Sequence, residues 1–251
     1  MTFRTRIRDF AAAVIFGILV FSAVVVLCDG HALCASAQEH GNDGAPLVKV
    51  TAPADNSTYS WKSLVNYSIV VSYLGKSTQY QEIPSNQVLL KATYVADLST
   101  HAPAAAVATP DGLLDIVRSN CLGCHEFKAK AMGPSFAAIA QRYPDNPAAI
   151  DTLSRYIRAG STGVWGPGSM PPHPEFTEDQ LHAIVLWILK EAASPNVNYY
   201  VGTEGAIRME APVAPAPRAG LILTASYTAV APDAGPEKAP FGMATVIVRG
   251  K

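Results

Sequence analysis

The chain has 251 residues, of which 49% are hydrophobic and 16% charged, and its formal net charge at pH 7 is −1. That length accommodates two small domains, and so even a charge balance sets up no strong field toward nucleic acid or an acidic membrane face, so no nucleic-acid partner is expected. The sequence has no glycine-rich phosphate loop, no HExxH and no nucleophile elbow, which removes the commonest nucleotide, zinc-protease and hydrolase readings.

At the start, Arg4, Arg6 and Arg8 precede 17 mostly apolar residues, Ala11 to Leu27, and Ala35-Ser36-Ala37 offers small residues for cleavage before Gln38. Residues 1–37 therefore read as a secretion signal. Membrane spans begin at about 17 residues, so an uncleaved membrane anchor through 11–27 stays open beside it. Either version keeps the basic end inside and the rest of the chain outside the cytoplasm, which predicts a periplasmic protein, soluble or anchored. Cys28 and Cys34 fall in this leader, each preceded by leucine rather than the small residue of a lipid-attachment site.

From Leu47 to Val95 the pattern has period two. Tyr67, Ile69, Val71 and Tyr73 alternate with Ser68, Val70 and Ser72, and Val88, Leu90, Ala92 and Tyr94 alternate with Leu89, Lys91 and Thr93. These are predicted strands.

The middle of the chain reads as helices around a chemical motif. Thr109-Pro110 supplies an N-cap and a first-turn proline for a helix burying Leu113, Ile116 and Val117. It leads into Cys121-Leu122-Gly123-Cys124-His125, the spacing that attaches c-type haem. Two sulfurs three positions apart can add to the two vinyl groups of a porphyrin while the next imidazole faces the iron. The competing reading is a zinc or redox CxxC pair beside an unrelated histidine.

Asn146-Pro147 repeats the cap and proline, Ile150, Leu153 and Ile157 form one stripe, and Gly160 ends that helix. Met170 follows His125 by 45 residues, in a run of glycine and proline from Gly163 to Pro172 that predicts an irregular loop. Methionine on such a loop is not core filler, and a thioether is the usual partner of histidine in cytochromes c. A last helix starts at Thr177, which makes a capping box with Gln180, and its face of Leu181, Ile184, Val185 and Ile188 reads as core packing against the first helix.

Beyond the helices the strand period resumes in Ala206 to Met209, in Leu221, Leu223, Ala225 and Tyr227, and in Ala244, Val246 and Val248. A short isolated sheet is marginal in water. The halves 46–100 and 198–251 are therefore expected to join, with 99–108 and 192–197 as crossing linkers around the inserted middle. The rival arrangement keeps two independent β segments on opposite flanks.

Residues 111–191 resemble a small bacterial class I cytochrome c of the c551/c552 type. The resemblance is carried by Cys121 to His125, Met132-Gly133-Pro134-Ser135-Phe136, the run from Gly160 to Gly166, Met170-Pro171-Pro172 and Leu186 to Leu189. It implies one covalent haem c with its iron, thioethers at Cys121 and Cys124, and His125 and Met170 as axial ligands. It also implies that the Pro134 carbonyl accepts a hydrogen bond from the outer ring nitrogen of His125 and that Trp165 donates its indole N–H to a haem propionate.

Two positions depart from the pattern. Tyr156, between Arg155 and Arg158, stands where an arginine often meets a propionate. His173 stands where an asparagine commonly bonds the ligand sulfur, and is expected to lie behind the ligands or in solvent rather than to compete with them.

The fold so implied is an all-α cytochrome c domain at 108–194, inserted in or flanked by an antiparallel, immunoglobulin-like β-sandwich. Gln79 to Pro84 and Leu223 to Thr228 also resemble segments that bracket cytochrome domains in large bacterial sugar-dehydrogenase-like proteins. That likeness implies a separate electron donor, since this chain holds no dehydrogenase domain.

With two cysteines in the leader and two on the haem, no disulfide remains. Residues 108–194 carry seven Lys/Arg against nine Asp/Glu, so no basic docking face is expected. The chain is read as an electron carrier and not an enzyme. It is expected to work between redox protein partners, a periplasmic dehydrogenase as donor and a terminal oxidase or another cytochrome as acceptor. Two alternatives stay open: a haem enzyme or gas sensor with a displaceable Met170, and a β-sandwich docking or carbohydrate-binding module using Tyr59, Trp61, Tyr199 and Tyr200.

Overall fold

The computed structural model describes residues 44–100, 107–230 and 239–251. The expected leader at 1–37, with its apolar run 11–27, lies outside the described residues. Among those described, no helix is long and apolar enough to cross a membrane.

In chain order the strands before the helices are β1 (Leu47–Ala52), β2 (Ser57–Tyr59), β3 (Leu64–Tyr73), β4 (Lys76–Ser77) and β5 (Leu89–Val95). The middle holds α1 (Asp111–Arg118), α2 (Phe136–Arg142), α3 (Pro147–Ala159), a hairpin of β6 (Ser161–Gly163) and β7 (Gly166–Met170), and α4 (Glu178–Glu191). Then come β8 (Val197–Val201), β9 (Glu204–Arg208), β10 (Gly220–Thr228) and β11 (Phe241–Gly250).

Both large sheets mix strands from the two flanks. In the four-stranded sheet, β3 pairs antiparallel with β1, β4 and β9, Leu64 lying opposite Arg208 and Ser68 opposite Glu204. The five-stranded sheet runs β2-β11-β10-β5-β8. The period-two pattern explains the layer between them: Val65, Ile69 and Val71 from one sheet meet Leu90, Leu223 and Val248 from the other, all buried.

The expected fold needs correction. An all-α haem segment within an antiparallel immunoglobulin-like sandwich does not describe this chain, whose described residues are about 26% helix and 34% strand, with 11 strands in sheets. The middle segment carries its own β6–β7 hairpin where an irregular loop was predicted, because Ser161 and Met170 pair across a turn whose backbone Gly163 and Gly166 accommodate at positive φ. The five-stranded sheet is mixed, since β2 lies parallel to β11.

The helical segment covers the outer face of the five-stranded sheet, and the two share a core. Leu89 and Tyr199 are buried in one cluster with α1 and α4, and Val197 and Val201 pack against it. Arg118 Nη2 donates to the Thr228 carbonyl at 2.8 Å. Thr109 departs from its predicted capping role: α1 begins after Pro110 without a side-chain cap, and the Thr109 hydroxyl lies 3.3 Å from Ser226 Oγ in a buried contact. Strand β10 is consequently buried on both faces over most of its length, the situation in which alternation disappears.

Caps fix the other helices. Asn146 Oδ1 accepts from Ala149 N with Pro147 at the first helical position, and Thr177 and Gln180 complete a capping box. At the far end of α4, Lys128 Nζ donates to the carbonyls of Ala192 at 2.9 Å and Ser194 at 2.6 Å. Desolvation lowers its pKa, yet its ammonium satisfies two carbonyls that would otherwise be orphaned at the helix end. Lys128→Met should therefore cost about 1–3 kcal/mol, read as a lower thermal midpoint of the holoprotein; an unchanged midpoint would show that water replaces the ammonium without loss.

Candidate haem site

Just past α1, a single tight turn at Cys121–Gly123 sets the CxxCH residues. Cys124 N and His125 N both donate to the Cys121 carbonyl, at 3.2 and 3.0 Å. Both thiols are free. Burial pushes the Cys121 thiol pKa up, only partly countered by the Ser119 hydroxyl 3.0 Å from its sulfur. A reactive redox pair needs a depressed thiol pKa, so this cysteine is not set up as one. Nor does the zinc reading gain support, since among the described residues no three His, Cys, Asp or Glu side chains gather as a metal cluster.

His125 is buried, with its ring held on three sides. Its Nδ1 is 2.7 Å from the Pro134 carbonyl. A carbonyl can only accept, so Nδ1 is the donor here, and Nε2 is the ring nitrogen left to meet a metal. Phe136 stacks on the imidazole, centroids 5.4 Å apart and planes 22° apart. On the remaining side stands Gly133, whose N–H donates to the Cys124 carbonyl at 2.8 Å. A Cβ there would lie 2.6 Å from His125 Cε1 and 2.8 Å from Nδ1, so only glycine lets the loop approach so closely.

That contact gives a sharp expectation. Gly133→Ala must push the imidazole off the Pro134 carbonyl or lift the loop, an overpacking cost of roughly 1–3 kcal/mol. It should appear as a lower yield and lower melting temperature of the haem-loaded protein, and a wild-type melting curve would refute the contact.

Met170 closes β7, half-buried, in register with Ser161. Trp165 occupies the hairpin turn with 40% of its surface exposed. The Arg142 guanidinium lies over the Trp165 ring at 4.4 Å and donates to the Val164 carbonyl at 2.8 Å, so α2 clamps the tip of the hairpin that carries Met170.

The other arginines face elsewhere: Arg158 pairs with Glu178 at 2.8 Å and Arg155 lies near the Tyr156 ring. His173 is buried and donates through Nδ1 to Glu175 at 2.9 Å, a bond that holds the Glu175 carboxyl below its ordinary pKa. The structure thus brings Cys121, Cys124, His125 and Pro134 together on one turn and its facing loop, and sets Met170 and Trp165 on a separate hairpin. Sequence reasoning missed Gly133, Phe136 as a stacking partner, and Arg142. Gly133 stood inside the matching Met132-to-Phe136 run, whereas nothing local marked Arg142.

The donor set fits haem c: two unpaired thiols on one turn, an imidazole locked with Nε2 free, and a cradle no larger residue at 133 would allow. Fold and site together define a covalent haem protein. Residues 108–188 match the family model for cytochrome c oxidase, cbb3-type, subunit III. Cytochrome c-552 of Hydrogenobacter thermophilus is 38% identical over 72 residues, which is 29% of this chain and 72% of that protein. Cytochrome c-551 of Allochromatium vinosum is 35% identical over 88 residues, covering 34% and 94%. The crystal structure of wild-type Nitrosomonas europaea cytochrome c552 shares 38% identity, covers 28% of this chain and 88% of its own, and has a TM-score of 0.27. The chain belongs to the class I cytochromes c, and it is a mono-haem electron-transfer protein that works with redox partners.

Proposed function

We propose that this chain carries single electrons in the periplasm, from a separate dehydrogenase to a terminal oxidase or another cytochrome. His125 and Met170 hold the haem iron from its two faces, Cys121 and Cys124 form the thioethers, and the Trp165 indole donates to a propionate. One observation carries the reading: His125 Nδ1 donates to the Pro134 carbonyl at 2.7 Å, so Nε2 is the ring nitrogen that remains for the iron.

With His125 and Met170 both holding it, the haem would supply one-electron transfer and leave no position open to a substrate. The chain's residues supply the rest. Pro134 and Gly133 hold the imidazole in one orientation, Phe136 keeps water from its face, and the β6–β7 hairpin presents a thioether whose softness favours the reduced state and a high potential. The reading also divides the chain into a haem unit at 108–194 carried on a β unit built from 46–100 and 198–251. The expected leader at 1–37 and a covalent haem agree on the periplasm.

The test is to purify the native protein from the periplasm and record its oxidised spectrum at neutral pH. The weak red-edge band of methionine–iron bonding should be present, and an endogenous dehydrogenase should reduce the protein rapidly. A missing band in pure holoprotein sinks the ligand assignment, and a normal spectrum in protein found only in the cytoplasm sinks the location.

A further inference from the structure

The histidine of the haem motif rests on a cluster of aromatic rings that continues past the matched segment. Behind Phe136, which stacks on His125, stand Phe127 at 5.8 Å and Trp187, edge-on, at 6.2 Å. These two meet each other at 6.0 Å. Tyr199 closes the cluster, 5.4 Å from Phe127 and 5.6 Å from Trp187. It belongs to β8, outside residues 108–188. It lies opposite Lys91 of β5, it is 9% exposed, and Val197 and Val201 from its own strand pack into the same cluster.

We propose that Tyr199 is a positioning residue for His125: a ring lent by the β unit holds Phe127 and Trp187 against Phe136, and so helps to set the potential of the haem. The proposal rests on His125 being an axial ligand. Aromatic contacts of this geometry contribute about 0.5–1.5 kcal/mol each beyond the area they bury, and a close-packed interior cannot lose a ring without rearranging or admitting water. A looser, wetter surround stabilises the more highly charged oxidised iron, so removing the ring lowers the potential. The phenol carries no charge at neutral pH, since burial pushes its pKa up to about 12, so removing its oxygen alters no charge near the haem while the ring stays in place.

The experiment compares holoprotein carrying Y199L, Y199F and V201A, reading the oxidised-to-reduced ratio at an applied potential equal to the wild-type midpoint. Melting temperature is recorded alongside. Y199L should raise that ratio at least threefold, which at 59 mV per tenfold is about 28 mV. Y199F should leave it unchanged. V201A, which loosens the same seam without removing a ring, should lower the melting temperature alone.

An unchanged ratio in Y199L overturns the proposal, and so does an equal shift in V201A or Y199F. Should Y199L accumulate without haem, Y199M, whose flexible side chain refills irregular space, is read by the same ratio and the same criterion. The wild-type red-edge band separates the failures: its absence removes the ligand reading, whereas its presence with an unmoved ratio removes only the role of Tyr199.

Discussion

Met170→Ala is expected to abolish the red-edge band of the oxidised protein and to lower its midpoint potential by a substantial part of the roughly 0.8 V that axial ligands span. The backbone on both sides of Met170 is pinned independently of its side chain. Before it, β7 pairs with β6 and Arg142 clamps the hairpin turn. After it, the two prolines lead to His173, whose N–H donates to the Ile157 carbonyl at 2.9 Å. Gly160, at φ +75°, lets the Met170 carbonyl approach to where a Cβ would sit at 2.7 Å. The loop should therefore stay in place when the sulfur is lost, and the change in spectrum and potential reports the ligand. A variant that keeps both would move the assignment away from Met170. Added imidazole or cyanide should bind the variant readily and the wild type poorly; equal binding by both would favour the enzyme or sensor reading over a carrier.

What the sequence disclosed depends on the range of the interactions involved. Cys121 to His125 was legible because its chemistry lies within one turn, and the Pro134 contact because it sits inside a run shared with a family. Strand β3 was legible because Val65, Tyr67, Ile69 and Val71 alternate against a single core. Strand β10 was legible in place but not in surroundings: Ser226 and Thr228 look like solvent residues, yet both are buried on the face toward the helical segment. The β6–β7 hairpin was hidden because glycine and proline carry no strand propensity, and its pairing comes from the turn and from Arg142. The parallel contact of β2 with β11 joins residues far apart in the chain, and no local pattern announces such a pairing. The same holds for Tyr199, read from the sequence as a docking aromatic, which is buried once the helices are folded onto its face.

The haem turn also depends on the helix before it, and Gly112→Ala should show how strongly. In α1, Gly112 is buried at the crossing with α4, and a Cβ built on it would run into the Ala183 carbonyl oxygen and come within 2.7 Å of Ile184 N. These are backbone atoms of a helix with no flexible end to swing aside, so the helices must separate. Leu113, Ile116 and Val117 of α1 share their core with Leu181, Ile184, Val185 and Ile188 of α4, and parting them unpacks that whole seam. The cost should reach the upper end of the overpacking range, about 3 kcal/mol or more, and for a chain of this size that lowers the melting temperature by on the order of 10 °C. Because Ser119 and Cys121 follow directly from the last turn of α1, haem incorporation should fall with stability. Gly112→Ala holoprotein that melts with the wild type would mean that α1 and α4 do not cross at this residue. The close approach seen here would then have no role in setting the turn that presents His125.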